Sequence, residues 1–257
     1  MNRDELGRAI RAACANLDEP RVIVFGSQSI LGSYDDSELP PAAIASREVD
    51  ILPLSGITDP PSVEEKLLLI DAHLGEDSPF HDYHGFYVEG IHKDVVVLPV
   101  NWENRLVHFT VEDGASQLYG RTGLCLDPID LCVSKTLAGR PKDREFVAAL
   151  VNENIVDADA LLRRLAGGID WPPGYLAESQ TMLARARDWL EHLAASASDG
   201  ADTASTDTAI LDAIAAAGAG HPRSVKHLLT HTADQPERAQ QEPDNGVDRD
   251  TGTDLSR

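Results

Sequence analysis

The sequence predicts an α/β fold: a small mixed sheet flanked by helices, then a helical segment, then a flexible acidic tail. Three observations lead there. Two short β-branched runs, RVIVF at 21–25 and EVDILPL at 48–54, alternate with helical stretches. From about residue 127 to 195 the chain reads as consecutive helices. Beyond about Ala195 the aromatics vanish and Ala, Ser, Thr, Asp, Gln and Gly dominate, a composition that favours disorder. The expected organisation is a core over 1–126, a helical segment over 127–195 and a low-complexity tail over 196–257.

Taken in order, the first sixteen residues predict a helix with Leu6, Ile10 and Ala13 on one face. Arg21–Phe25, bounded by Pro20 and Gly26, predicts a buried strand. Gly26-Ser27-Gln28-Ser29 turns into a short helix around Ile30 and Leu31. Residues 33–46, following Gly32 and carrying Ser, Asp and two prolines, read as a loop. Glu48–Leu54 alternates and predicts a second strand. Ser62 with Glu65 forms a capping box for a helix over 62–73. Gly85–Val88 and Asp94–Val97 then read as a hairpin joined by residues 89–93. Asp127 as N-cap and Pro128 at the first helical position open a helix to about Ala138. Further helices are expected at 142–152, 157–166 and 175–195. Two short amphipathic helices are expected in the tail, near 208–217 and 222–230.

The bulk numbers limit the function classes. A chain of 257 residues suffices for one good core with a helical appendage. No apolar run is long enough for a transmembrane helix, and the charged, amphipathic N-terminus lacks the apolar stretch of a signal peptide. The three cysteines, Cys14, Cys125 and Cys132, have no metal-ligand spacing and suit reduced thiols in a cytoplasmic protein. A formal net charge of -21 gives no overall attraction to nucleic acid or an anionic membrane. A polyanionic substrate therefore requires a local basic patch or bridging metal ions.

The residues with the clearest chemical content lie on the first two strands. Gly26 at a strand end lets the backbone approach a phosphate closely, and free amides beside the Ser27 hydroxyl favour an anion. Glu48 and Asp50, at i and i+2 on a strand, share one face while Val49 points to the other. Two hard oxygen ligands on one face suit Mg²⁺, which binds through one or two carboxylates plus substrate phosphates. A Gly-Ser pair alone is a common turn, and Glu-x-Asp alone is a common solvated edge. Their occurrence together, in order and at the ends of two buried-looking strands, is what points to chemistry. Arg140-Pro141-Lys142-Asp143-Arg144 is the most basic stretch of an acidic chain and the natural polyanion contact. His81 and His84 lack further ligands nearby, the cysteines read as core thiols, and residues 102–105 read as structural.

This pattern resembles the nucleotidyltransferase superfamily, whose signature is Gly-Ser followed by a carboxylate pair on the next strand. Its details resemble the AbiEii and MenT-type toxins of bacterial toxin–antitoxin modules, over roughly residues 20–165. The stretches that carry the resemblance are VFGSQSILG at 24–32, SREVDILP at 46–53, SPFHDYHGFYVEG at 78–90, LPVNWENRL at 98–106 and DLCVSKTLAGRPKDREFVAAL at 130–150. The resemblance implies a nucleotidyltransferase-like sheet whose cleft is completed by the helical segment. It implies that Gly26 and Ser27 bind phosphate, that Glu48 and Asp50 hold Mg²⁺, and that Lys135 contacts the triphosphate. Ser46 matches the hydroxyl residue before the carboxylate pair, and Asp143 a later motif aspartate, with Arg140 and Lys142 beside it. Glu48 stands where the superfamily usually has aspartate, the long stretch between Ser27 and Glu48 is absorbed by a loop at 34–45, and Asp94 is the best-placed third carboxylate. The implied activity is transfer of a nucleoside monophosphate from a nucleoside triphosphate to the 3′ end of a tRNA, blocking translation under control of a cognate antitoxin. Two alternatives stay open: nucleotidylation of a protein or a small molecule such as an aminoglycoside, and a non-catalytic nucleotide-binding or interaction module.

Overall fold

The computed structural model describes residues 1–58, 63–109 and 120–197. Helix α1, Arg3–Leu17, begins at a capping box: the Asn2 side chain accepts from the Glu5 amide while the Glu5 side chain reaches back to the Asn2 amide. Its buried face is Leu6, Ala9, Ile10, Ala13, Cys14 and Leu17. Strand β1, Arg21–Val24, is buried at its last three residues, and a 3-10 turn, Ser27–Gly32, follows it. The stretch read as a loop carries a second 3-10 turn, Asp36–Glu38, and a one-turn helix, α2, Pro41–Ile44. Strand β2 is Glu48–Pro53 and α3 is Ser55–Thr58. Helix α4 spans Val63–Leu74; its expected cap, Ser62, lies outside the described residues. Helix α5, Pro79–His84, is capped by Ser78 and closed by Gly85 in the left-handed region. Strand β3 is Tyr87–Gly90.

The expected hairpin does not form. Strand β3 runs parallel to β2, with Glu48 opposite Tyr87 and Asp50 opposite Glu89. A parallel pair needs a crossover, which α4 and α5 supply. After Gly90 the chain enters a 3-10 turn, Lys93–Val95, in which the His92 ring accepts from the Asp94 amide at 3.1 Å. Strand β4, Leu98–Pro99, then pairs antiparallel with β7, Ile169–Asp170. Strands β5, Val107–His108, and β6, Thr122–Cys125, complete the main sheet. Its order is β3-β2-β1-β6-β5, mixed in direction: β1 lies antiparallel to β2 and parallel to β6.

The helical stretch matches its expected elements closely. Helix α6, Pro128–Ala138, has Asp127 accepting from the Ile129 and Asp130 amides. Helix α7 is Pro141–Asn152, α8 is Ala158–Ala166, and a last helix, α9, runs over 179–197. Buried Asp130 ties α6 to its surroundings. Arg105 donates to it from Nε at 2.8 Å and Nη2 at 3.0 Å, and Arg164 of α8 pairs with the same carboxylate. Trp102 is buried against Phe25, ring centroids 5.4 Å apart. All three cysteines are buried and free, and burial pushes the Cys125 and Cys132 thiols up to about 12. They are core thiols. Among the described residues no helix is long and apolar enough to cross a membrane. The tail and its two expected helices lie outside the described residues.

Candidate active site

The site begins where β1 ends. Antiparallel pairing sets Val24 opposite Ile51, and the Phe25 amide donates to the Asp50 carbonyl at 2.9 Å. Gly26 therefore lies directly against Asp50. Its φ is +62° with ψ -171°, a conformation that side chains other than glycine rarely adopt. A Cβ placed there would sit 1.7 Å from Asp50 Oδ2. Glycine is thus needed twice over, for the backbone turn and for room beside the carboxylate.

On β2, Val49 is buried while Glu48 and Asp50 point together to the opposite face. The parallel register puts Glu89 of β3 beside Asp50. One oxygen from each of Glu48, Asp50 and Glu89 falls within 4.8 Å of the others, the one cluster among the described residues that could hold a metal ion. Burial first, then the Glu48 charge, raises Asp50 to about 6, against the pull of Lys135, Lys142 and Arg140. A hydrogen bond with Glu48, then burial and the charges of Glu48, Asp50 and Asp71, raises Glu89 to about 8. Three carboxylates crowded enough to retain a proton are a donor set that a divalent cation fits, because it replaces that proton with stronger attraction.

Asp94, the expected third carboxylate, is elsewhere. Its side chain is 63 % exposed on the Lys93–Val95 turn, 3.5 Å from the His92 ring. The error follows from the hairpin: read as a turn, Glu89 had no face; read as a strand in parallel register, it falls beside Asp50.

The cations come from α6 and α7. Lys135 Nζ lies 3.1 Å from Asp143 Oδ1, and Arg140 Nε lies 2.6 Å from Asp143 Oδ2. Asp143 is fully buried. Burial opposes its charge, but hydrogen bonds and charges from Arg140 and Lys135 outweigh that and hold its carboxyl below the ordinary aspartate value. Lys135 also rests over the Phe146 ring, 4.7 Å from its centroid. Asp143 is thus behind the cations, fixing them, and does not itself face the cleft.

These groups surround one cleft of about 600 Å³. Gly26, Ser27, Ser46, Glu48, Asp50, Lys135, Arg140 and Lys142 all line it. Of the residues expected at the site, Asp143 alone is set back and Asp94 alone is displaced. Ser46 is held in place at both ends: its carbonyl accepts from Gln28 Nε2 at 3.1 Å, and its hydroxyl from the Glu48 amide at 3.3 Å. Buried Gln28 braces the Ser27 turn to the start of β2, a role with no sequence signal beyond its position after Ser27. Among the described residues, His81 and His84 form no metal cluster. His81 accepts from the Asp77 amide and meets the Tyr87 ring at a tilt, and His84 packs among Phe80, Tyr83 and Phe86.

No curated protein and no solved structure matches the chain. A family does: residues 5–171, which include both strands of the carboxylate cluster and both cation-bearing helices, match the family described as a nucleotidyltransferase of unknown function (DUF6036). The chain belongs to that nucleotidyltransferase family.

Proposed function

We propose that this protein transfers a nucleoside monophosphate from a nucleoside triphosphate to a hydroxyl acceptor. The observation that carries the reading is the Glu48, Asp50 and Glu89 carboxylate cluster, whose Glu48 and Asp50 share one cleft with Gly26, Ser27, Lys135, Arg140 and Lys142. Lys135, Arg140 and Lys142 neutralise the triphosphate, and Gly26 lets its phosphates approach the β1 end. Mg²⁺ held by Glu48, Asp50 and Glu89 would polarise the phosphoryl oxygens and lower the pKa of the attacking hydroxyl. The acceptor oxygen attacks the α-phosphorus, the bond to the β-phosphate breaks, pyrophosphate leaves, and the hydroxyl proton passes to water. Catalysis rests on positioning and charge stabilisation more than on covalent chemistry.

The resemblance to AbiEii and MenT-type toxins supports the 3′ end of tRNA as acceptor, and with it a translation-blocking role checked by an antitoxin. One observation favours a different acceptor. The net charge of -21 gives the chain no overall attraction to an RNA backbone, which suits a protein or a cationic small molecule better. Incubation with each labelled triphosphate, Mg²⁺, total tRNA and host lysate separates these. Label in tRNA supports the toxin reading, and label in protein or a small solute the second. Absence of any Mg²⁺-dependent triphosphate binding or transfer overturns the proposal.

A further inference from the structure

The lining of the cleft divides by chemistry as well as by element. The cleft carboxylates come from β2, and the cations from α6 and the start of α7. The segment after β3, the turn before α9 and the start of α9 contribute a different wall: Ile91, Val95, Val96, Val97, Tyr175 and Met182. Within it Tyr175 has the one ring, and that ring is fixed. Its hydroxyl donates to the Val95 carbonyl at 3.2 Å, and its 3-10 turn, Pro173–Tyr175, packs on the Lys93–Val95 turn. The Val96 amide is in turn bonded to the Lys93 carbonyl. The hydroxyl is therefore committed to the protein, and the apolar ring is what the cleft sees.

Building on the nucleotidyl-transfer reading, we propose that Tyr175 is the platform for the nucleobase of the triphosphate. A triphosphate anchored at Lys135, Arg140 and Lys142 in a cleft of about 600 Å³ leaves room for its nucleoside against this apolar wall, one part of the remaining lining. No side chain of that wall other than Tyr175 carries a hydrogen-bonding group, so the wall recognises the face of a base and not its edge. Stacking of this kind tolerates every base, because each has a π-face. Tyr175 lies outside the family match at residues 5–171, so this platform belongs to the part of the chain that the family does not describe.

The test compares Mg²⁺-dependent binding of nucleoside triphosphates with that of inorganic tripolyphosphate, which has phosphates and no base, on the full chain. Tyr175→Ala should weaken nucleoside triphosphate binding by about tenfold or more, the scale of one lost base–aromatic stack, and leave tripolyphosphate unchanged. Tyr175→Phe, which keeps the ring, should bind nearly as wild type, and Tyr175→Leu, which keeps apolar bulk without a ring, should behave like the alanine variant. A fluorescent purine riboside triphosphate should be quenched by wild type and Tyr175→Phe but not by Tyr175→Leu. Equal loss of nucleotide and tripolyphosphate in the alanine and leucine variants, or unchanged nucleotide binding in both, overturns the platform. A wild-type chain that binds tripolyphosphate no less tightly than nucleotides also overturns the platform alone. One that binds neither overturns the nucleotidyl-transfer reading beneath it.

Discussion

Gly26→Ala isolates the closest contact in the site. The added Cβ would fall 1.7 Å from Asp50 Oδ2 and 2.7 Å from its Cγ, so the carboxylate must rotate away. An off-rotamer side chain costs about 0.5–1.5 kcal/mol. Holding a non-glycine residue at φ +62° adds about 1–3 kcal/mol. The expected destabilisation is about 1.5–4.5 kcal/mol, which lowers Tm by about 3–18 °C for a domain of this size. The two contributions separate in a double-mutant cycle. In an Asp50→Ala background the clashing oxygen is gone, so Gly26→Ala should cost less there by about 1 kcal/mol, the rotamer share of the total. Chemical denaturation of the four proteins without divalent cation measures both quantities. Equal cost in the two backgrounds would show that Gly26 and Asp50 do not touch. No cost in either would refute the turn itself.

Three further outcomes follow from the same geometry. Asp50→Ala should lower nucleotide transfer by more than about a hundredfold, beyond what loss of an outer-shell partner costs, while Tm without divalent cation stays level or rises, because a mostly buried charge beside Glu48 has been removed; a variant that unfolds, or transfers at the wild-type rate, counts against it as a metal ligand. Glu89→Gln should weaken cation binding by about 10–100-fold whereas Asp94→Asn should not, and a calorimetric titration giving the reverse order would restore the sequence-based choice. Glu19→Gln should cost about 1–3 kcal/mol, because Glu19 accepts from Ser55 Oγ at 2.6 Å and pairs with Lys66. Burial acts to raise the Glu19 carboxyl, but those hydrogen bonds and the Lys66 charge outweigh it and hold it below the ordinary glutamate value. The folded state then keeps the charge longer than the unfolded chain as pH falls. The gap between wild type and variant should be constant above that ordinary value and close below it as pH passes the folded value; a gap independent of pH would exclude the ion pair as its source.

What could be read from the sequence was whatever depends on local pattern. Asp127-Pro128 announced α6, the helical spacing of Leu6, Ile10 and Ala13 announced α1, and Glu48-x-Asp50 announced a shared face. What could not be read depends on partners distant in the chain. Strand β6 hid behind its glycine: Gly123 has no room for a side chain, since a Cβ would meet Ile10 Cδ1 at 2.4 Å, and glycine blurs the strand signal. Strand β7 and its partner β4 are two residues each and exist only through one another. Glu89 belongs to the same class. Nothing near it in sequence marks it, and its place is set by a parallel register that a crossover of two helices creates.

On the proposed function, the charge distribution accounts for how so acidic a chain would present a phosphate site. A net charge of -21 means that the overall field repels a triphosphate, so attraction has to be local and prearranged. Free lysine and arginine side chains beside Glu48 and Asp50 would collapse onto them, cancelling the carboxylates and the cations together. Their charges are near enough for Asp50 to feel Lys135, Lys142 and Arg140. Asp143 prevents the collapse for two of the three. Buried beneath the cleft wall, it holds Lys135 and Arg140 by hydrogen bonds, and the Phe146 ring supports Lys135 from the side. A buried carboxylate is costly unless it is paired and hydrogen-bonded, and here one is paired twice. The cost of burying Asp143 keeps opposite charges apart within a single cleft, and under the proposed function that separation would let the carboxylates and the cations serve different parts of one substrate.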